Sequence, residues 1–134
     1  MGLDDNPMET TSQLDILIVD DDQPIRNLVR QIVRRIGYPA RDASNGEEAI
    51  ANLEQKIPDL LVLDLMMPKV SGWEVLQWLS ERGHLPSLPV VVLTAVGARK
   101  TRDLENFDVR AVIDKPFEVS ELMNELRQIL EPSP

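Results

Sequence analysis

The sequence contains no cysteine and no long apolar run, and these absences narrow what the chain can be. Without cysteine it forms neither disulfides nor thiolate metal sites. No apolar stretch approaches the roughly 20 residues that a membrane-spanning helix needs. The first residues, Met1 to Gln13, lack the basic start and apolar core of a secretory signal. We therefore expect a cytoplasmic chain that makes no contact with a membrane.

Basic residues are scarce relative to acidic ones. There are 14 lysines and arginines against 23 aspartates and glutamates, which gives a net charge of −9. Such a charge repels the phosphate backbone of nucleic acids, and no basic cluster is visible that would offset it, so we expect no direct nucleic-acid binding. The remaining composition is that of an ordinary globular domain, and 134 residues suffice for one such domain.

Polar and proline-containing segments mark the two ends of the predicted domain. Residues 1–13 are predicted to form a flexible tail. Two prolines among the last four residues cannot continue a helix, so residues 132–134 are predicted to form a second tail. The folded unit is expected to span residues 14–131. Because no output domain follows, we interpret the chain either as a free-standing unit or as a piece of a longer protein.

Short apolar runs alternate with segments of helical periodicity along this unit. The predicted strands are Ile16–Val19, Tyr38–Ala43, Leu60–Leu63, Pro89–Leu93 and Ala111–Ile113. A helix is expected after each strand, one of them near Ala98–Leu104. Parallel strands need long crossovers, which are usually helices, so the pattern predicts an α/β fold with a doubly wound parallel sheet. In such sheets the chemistry gathers beyond the carboxyl ends of the strands.

Polar side chains follow four of the five predicted strands. They are Asp20, Asp21 and Asp22 after the first strand, Asp64 after the third, Thr94 after the fourth and Lys115 after the last. Converging carboxylates repel one another unless a hard cation joins them, and oxygen ligands of this kind suit Mg²⁺. A lysine and a hydroxyl nearby suit a phosphoryl group. Asp64 is the natural acceptor, because a carboxylate can form an acyl phosphate. Each aspartate alone can also serve as a turn or helix-cap residue.

Four sequence strings carry these residues. They are ILIVDDD from Ile16, LLVLDLMMPKVSG from Leu60, VVLTA from Val91 and DKPF from Asp114. Together they resemble the receiver domains of bacterial response regulators, over essentially all of the predicted domain. The resemblance implies a flavodoxin-like fold with five strands in the order 2-1-3-4-5. It also implies a signalling role, in which Asp64 takes a phosphoryl group from a phosphohistidine on a sensor histidine kinase or a histidine phosphotransfer protein.

The resemblance also implies a set of metal ligands. Asp21 and Asp64 are expected to bind Mg²⁺ directly, Asp20 largely through water, and the backbone carbonyl of Met66 as a further ligand. By the same resemblance the domain is not an enzyme acting on other molecules. It promotes its own aspartyl phosphorylation and dephosphorylation, and thereby switches contacts with other proteins as a monomer or weak homodimer.

Lys115 and Thr94 have implied roles at the phosphoryl group. Lys115 is expected to hold it, with a cis peptide bond to Pro116, and Thr94 is expected to be the switch hydroxyl. One position departs from the family pattern: receivers typically carry tyrosine or phenylalanine three residues before the lysine, and this chain has Val112. Coupling of the hydroxyl to a ring at that site is therefore not expected.

Two apolar residues border the expected phosphoryl site. Met66 lies two residues past Asp64, and Val96 lies two residues past Thr94. The resemblance places both beside the phosphoryl group, at positions that influence its hydrolysis. Because neither side chain can position an attacking water, the pattern predicts a comparatively long-lived phosphorylated state.

Three other functions compete with the receiver interpretation. A haloacid-dehalogenase-type phosphatase needs a second aspartate where this chain has Met66. A flavodoxin-like module that binds flavin mononucleotide needs a phosphate loop rich in serine, threonine and glycine, whereas Asp20 and its acidic neighbours would repel that phosphate. A degenerate receiver that only binds partners is favoured by Val112 alone, and intact Asp64, Thr94 and Lys115 argue against it.

Overall fold

The computed structural model describes residues 14–95 and 104–131. It contains five strands, namely β1 (Ile16–Val19), β2 (Ala40–Ala43), β3 (Leu60–Asp64), β4 (Val90–Ala95) and β5 (Ala111–Lys115). The α-helices of these ranges are α1 (Gln23–Ile36), α2 (Gly46–Gln55), α3 (Gly72–Glu81) and α4 (Val119–Leu130). The two predicted tails and nearly all of the helix expected near residues 98–104 lie outside the described ranges. A short 3₁₀ turn follows at Leu104–Asn106.

The strands form one parallel sheet in the order β2-β1-β3-β4-β5, as expected. Val19 pairs with Ala43 on one side and with Leu63 on the other, so the first three strands end almost level with one another. Ala95 pairs with Lys115 at the corresponding end of β4 and β5. All the residues that follow the strands are therefore delivered to the same edge of the sheet.

The core lies on both faces of this sheet. Successive side chains of a strand point to opposite faces, so β1 sends Leu17 and Val19 into the layer beneath α2 and α3, and Ile16 and Ile18 into the layer beneath α1 and α4. Both layers are buried, which explains why the central strands are continuous apolar runs without polar alternation.

The strands extend further toward the site than the sequence pattern indicated. Asp64, Thr94 and Lys115 lie within their strands, because parallel pairing continues through Asp64 opposite Leu93 and through Thr94 opposite Asp114. The three functional candidates are consequently fixed by the hydrogen-bond ladder of the sheet instead of by loops. Such positions are held more precisely than loop positions.

Candidate functional site

The three aspartates after β1 divide into a capping residue and two site residues. Asp22 is the N-cap of α1, since its Oδ1 accepts a hydrogen bond from the backbone N–H of Ile25 at 3.3 Å. Asp20 is fully buried, and its Oδ1 accepts from the backbone N–H of Asp22 at 2.9 Å. Asp21 is exposed at the same edge. Capping therefore explains only the last of the three carboxylates.

Asp20, Asp21 and Asp64 form one cluster. One carboxylate oxygen from each lies within 4.8 Å of the others, although Asp20 and Asp21 follow β1 and Asp64 ends β3. Asp64 is only 3% exposed, and its Oδ1 accepts from the backbone N–H of Met66 at 3.1 Å. The convergence expected from the parallel sheet is thus present in the structure.

Lys115 reaches the two buried members of this cluster from β5. Its Nζ lies 2.9 Å from Oδ2 of Asp20 and 3.6 Å from Oδ2 of Asp64. The peptide bond that follows it, to Pro116, is cis, as the resemblance implied. The ammonium therefore stands between the two carboxylates and remains partly accessible to solvent.

Burial and crowding perturb the titration of these groups. Desolvation, with the negative charge of Asp20 second, raises the pKa of Asp64 to about 7, although Lys115 opposes the shift. Burial alone would lower the pKa of the Lys115 ammonium. The hydrogen bond and charge of Asp20 and the charge of Asp64 outweigh that effect and hold the pKa above its ordinary value. The cluster therefore carries more negative charge than Lys115 neutralises.

The donor set fits a hard divalent cation. Carboxylate oxygens are the ligands that Mg²⁺ prefers, and it usually takes only one or two carboxylates while keeping several waters. Here Asp20 and Asp64 are buried whereas Asp21 faces solvent, which leaves an open side toward water. The pKa of Asp64 is raised first by burial and second by the charge of Asp20, and a second positive charge at this position would relieve that repulsion.

Two residues that support the cluster were not singled out from the sequence. Arg26 donates from Nη1 to the backbone carbonyl of Asp20 at 2.8 Å and from Nε to Asp42 at 2.9 Å, so it ties the first loop to β2. Gly72 begins α3 against β3, where an added Cβ would lie 2.2 Å from the carbonyl oxygen of Asp64. Gly72 ends one of the four sequence strings, but its packing role depends on contacts that sequence spacing does not show.

The other predicted site residues have different surroundings. Thr94 is fully buried at the end of β4, and its hydroxyl donates to the carbonyl of Ala95 at 3.3 Å instead of to a carboxylate. Val112 packs against the core layer that contains Trp73. Phe107 packs against the same core layer, with its ring centroid 6.4 Å from that of Trp73. Val96 lies outside the described residues.

Comparison with known proteins identifies the family. The profile of the response regulator receiver domain matches residues 16–127, which is most of the chain and includes every residue of the cluster. The chain belongs to this family. It is a receiver domain of the two-component response regulators, and the phosphatase and flavin-binding alternatives no longer apply.

Individual relatives agree with this assignment. The DNA-binding dual master transcriptional regulator RpaA of Synechocystis is 38% identical over 117 residues, covering 86% of this chain and 48% of that protein. The phosphate regulon regulatory protein PhoB of Pseudomonas aeruginosa is 35% identical, with coverages of 86% and 51%. The crystal structure of the NtrX receiver domain of Brucella abortus superposes with a TM-score of 0.78 at 30% identity, covering 89% of this receiver and all of that chain.

The match to these relatives covers only part of their length. This receiver spans about half the length of the curated relatives RpaA and PhoB. The family match therefore concerns the receiver portion of those regulators. Among the residues that the structure describes, no helix combines the length and the apolar character that a bilayer crossing requires.

Proposed function

We propose that Asp64 accepts a phosphoryl group from a histidine of a partner sensor kinase or phosphotransfer protein, in a Mg²⁺-dependent reaction. One observation carries the proposal: the carboxylates of Asp20, Asp21 and Asp64 converge within 4.8 Å, and Lys115 contacts two of them. Buried carboxylates that outnumber their cations are costly to a fold, because their desolvation is not fully compensated. A site that exchanges a cation and a phosphoryl group needs such an excess.

The metal would be held by the carboxylates of Asp20, Asp21 and Asp64 and by the backbone carbonyl of Met66. When bound, Mg²⁺ supplies positive charge for the oxygens of the transferring phosphoryl group. The backbone N–H of Met66 already fixes Oδ1 of Asp64, so the carboxylate is oriented before any ligand arrives. This orientation reduces the entropic cost of reaching the reactive geometry.

Asp64 acts as the nucleophile in this scheme. Its carboxylate oxygen forms a bond to phosphorus while the bond between phosphorus and the histidine nitrogen breaks, and the histidine nitrogen takes up a proton from water, so that the histidine leaves as neutral imidazole. Lys115, already 3.6 Å from Asp64, binds an oxygen of the transferred group. Thr94 gives up its weak hydrogen bond to Ala95 and donates to another of these oxygens.

Phosphorylation would change contacts with other proteins instead of producing a chemical product. The movement of Thr94 provides the signal, and Val112 excludes a ring rotation at its own position from that signal. The domain promotes its own phosphorylation and dephosphorylation, and its kinase partner would place it in the cytoplasm.

The apolar side chain at Met66 predicts a long-lived phosphorylated state. Met66→Asn would introduce an amide that can position water beside the acyl phosphate, so we expect it to shorten the lifetime of the label. Decay is followed by intact mass after removal of the phosphodonor. Rapid loss of label from the wild type, unchanged in Met66→Asn, would contradict this expectation.

Incubation with acetyl phosphate and Mg²⁺ tests the acceptor directly. We expect one added phosphoryl group by intact mass in the wild type, none in Asp64→Ala, and none in the wild type when EDTA replaces Mg²⁺. Asp15→Asn, at the opposite end of β1, is the matched control and should be labelled normally. Absence of label from the wild type would support the degenerate receiver that serves only as a binding module, and labelling of Asp64→Ala would place the acceptor elsewhere.

A further inference from the structure

Met66 combines solvent exposure with a fixed position beside Asp64. Its exposed fraction is 55%, and Met66 and Val119 are the large hydrophobic residues that the described ranges leave exposed. At the same time, its backbone N–H donates to Oδ1 of Asp64 at 3.1 Å. The backbone of Met66 is therefore anchored two residues from the proposed acceptor, while its side chain remains open to small molecules in water.

The other sulfur atoms of the described residues are less accessible. The chain has no cysteine and five methionines. Met67 is only 7% exposed within one core layer, and Met123 is partly buried against the other. Met1 and Met8 lie outside the described residues. A two-electron oxidant that enters the mouth of the site would consequently meet the sulfur of Met66, with no thiol in the chain to compete for it.

Oxidation would change the chemistry that Met66 presents to the site. A thioether is a weak hydrogen-bond acceptor, whereas a sulfoxide is polar and binds water. In the step itself the O–O bond of hydrogen peroxide breaks and an S–O bond forms. The sulfur loses two electrons, and the peroxide is reduced to water. The product therefore carries a water-binding oxygen on the residue whose backbone contacts Asp64, where the unmodified chain has an apolar group.

We propose that Met66 is a site of oxidation by peroxides, and that its sulfoxide form shortens the lifetime of the acyl phosphate on Asp64. The inference rests on the proposed function and adds a form of regulation to the same site. The thioether form protects the phosphorylated state, and the oxidised form returns the receiver to its unphosphorylated state sooner. Sulfoxide formation of this kind is reversible in cells.

The first measurement concerns oxidation alone. The full chain is treated with increasing hydrogen peroxide, and peptide mass spectrometry follows the addition of one oxygen atom to each methionine. We expect Met66 to be oxidised ahead of Met67 and Met123. Oxidation of either of these before Met66 would overturn the proposal whether or not the protein accepts a phosphoryl group.

The second measurement concerns the lifetime of the label. Treated and untreated wild type are phosphorylated with acetyl phosphate and Mg²⁺, and decay is followed by intact mass. We expect several-fold faster decay after treatment. Met66→Leu keeps the backbone carbonyl but lacks sulfur, so its decay should not respond to peroxide. Met66→Gln carries a permanent polar group and should decay quickly with or without peroxide, and Met123→Leu should respond as the wild type does.

The outcomes separate the two proposals. If untreated wild type takes up no phosphoryl group, the proposed function fails and the regulatory inference fails with it. If uptake is normal and the label decays at the same rate after Met66 is fully oxidised, only the inference is overturned. An equal acceleration in peroxide-treated Met66→Leu would also overturn it, since another group would then be responsible.

Discussion

The carboxylates at the two ends of the sheet are paired with positive charges to different extents. At the amino end, Asp15 is matched by Arg41, whose Nε and Nη2 lie 3.1 and 2.9 Å from its carboxylate oxygens. The same guanidinium donates to the side-chain carbonyl of Asn52 and the backbone carbonyl of Lys56. At the carboxyl end, Asp20 and Asp64 are more deeply buried, and within the described residues their ion pairs come from Lys115 alone.

The two ends differ in how completely the chain itself neutralises their carboxylates. The amino end satisfies its charges with partners from the same chain, so nothing further is needed there. At the carboxyl end, burial first and the negative charge of Asp20 second raise the pKa of Asp64 to about 7, so the metal-free fold disfavours the ionised form of this carboxyl. Perturbed groups of this kind cluster where proteins bind ligands, because the ligand supplies the missing charge.

Within this comparison, the largest expected change in the rate of phosphoryl uptake comes from removing the ammonium of Lys115 at the carboxyl end. Lys115→Met removes the ammonium that would bind an oxygen of the transferred phosphoryl group and leaves Mg²⁺ to stabilise it without that contact, so we expect uptake from acetyl phosphate to slow on the order of 100-fold. The matched control is Lys56→Met at the amino end, where Nζ lies 3.9 Å from Asp15 and is largely exposed. Rates are compared by intact mass at fixed Mg²⁺. Equal slowing in both variants, or wild-type uptake by Lys115→Met, would remove the distinction between the two ends.

Sequence patterns predicted the architecture well because its central strands are buried on both faces. Runs such as Leu60–Leu63 contain no polar alternation, so they indicated strands of a parallel sheet covered on both sides. Edge strand β2 was also located, although its four residues are mostly half-buried. The exact ends of β3, β4 and β5 were not found, since pairing with a neighbouring strand decides where a strand stops.

The sequence predicted which side chains come together at the site, but it did not predict the residues that hold them in position. Asp20, Asp21, Asp64 and Lys115 follow or end strands, and parallel topology alone brings them together. Arg26 gave no such signal, because its hydrogen bonds to Asp20 and Asp42 join segments distant along the chain. The roles assigned to Thr94 and to the carbonyl of Met66 stay predictions until a phosphorylated or metal-bound form is measured.

A pair of isosteric substitutions should change stability in opposite directions. The raised pKa of Asp64 means that the fold favours its protonated form, a stabilisation that is complete at low pH and lost as pH rises through about 7. Asp64→Asn removes the buried charge and keeps an acceptor for the Met66 N–H. At pH 8 in EDTA we expect it to raise the free energy of unfolding by on the order of 2 kcal/mol.

Asp15→Asn is the counterpart at the amino end. It weakens the paired contacts with Arg41, which are partly exposed, so we expect a loss of about 1 kcal/mol. Urea denaturation of both variants and the wild type measures the two changes under the same conditions. Destabilisation by Asp64→Asn would show that the charges at the carboxyl end are as well satisfied as those at the amino end.

The smallest effect concerns the pH dependence of metal binding, and it probes the carboxyl end without changing its residues. Below about pH 7 the metal-free Asp64 is protonated, and a cation must displace that proton before the carboxylate can bind it. We therefore expect Mg²⁺ affinity to fall about tenfold between pH 8 and pH 6, as one proton of this pKa requires. Calorimetry measures the affinity, and the fluorescence of Trp73 offers a second readout.

Asp64→Asn should bind Mg²⁺ more weakly and lose this pH dependence. An affinity that is constant from pH 8 to pH 6 in the wild type would mean that Asp64 is already ionised without metal, and that the excess charge inferred for this end is neutralised by the protein itself.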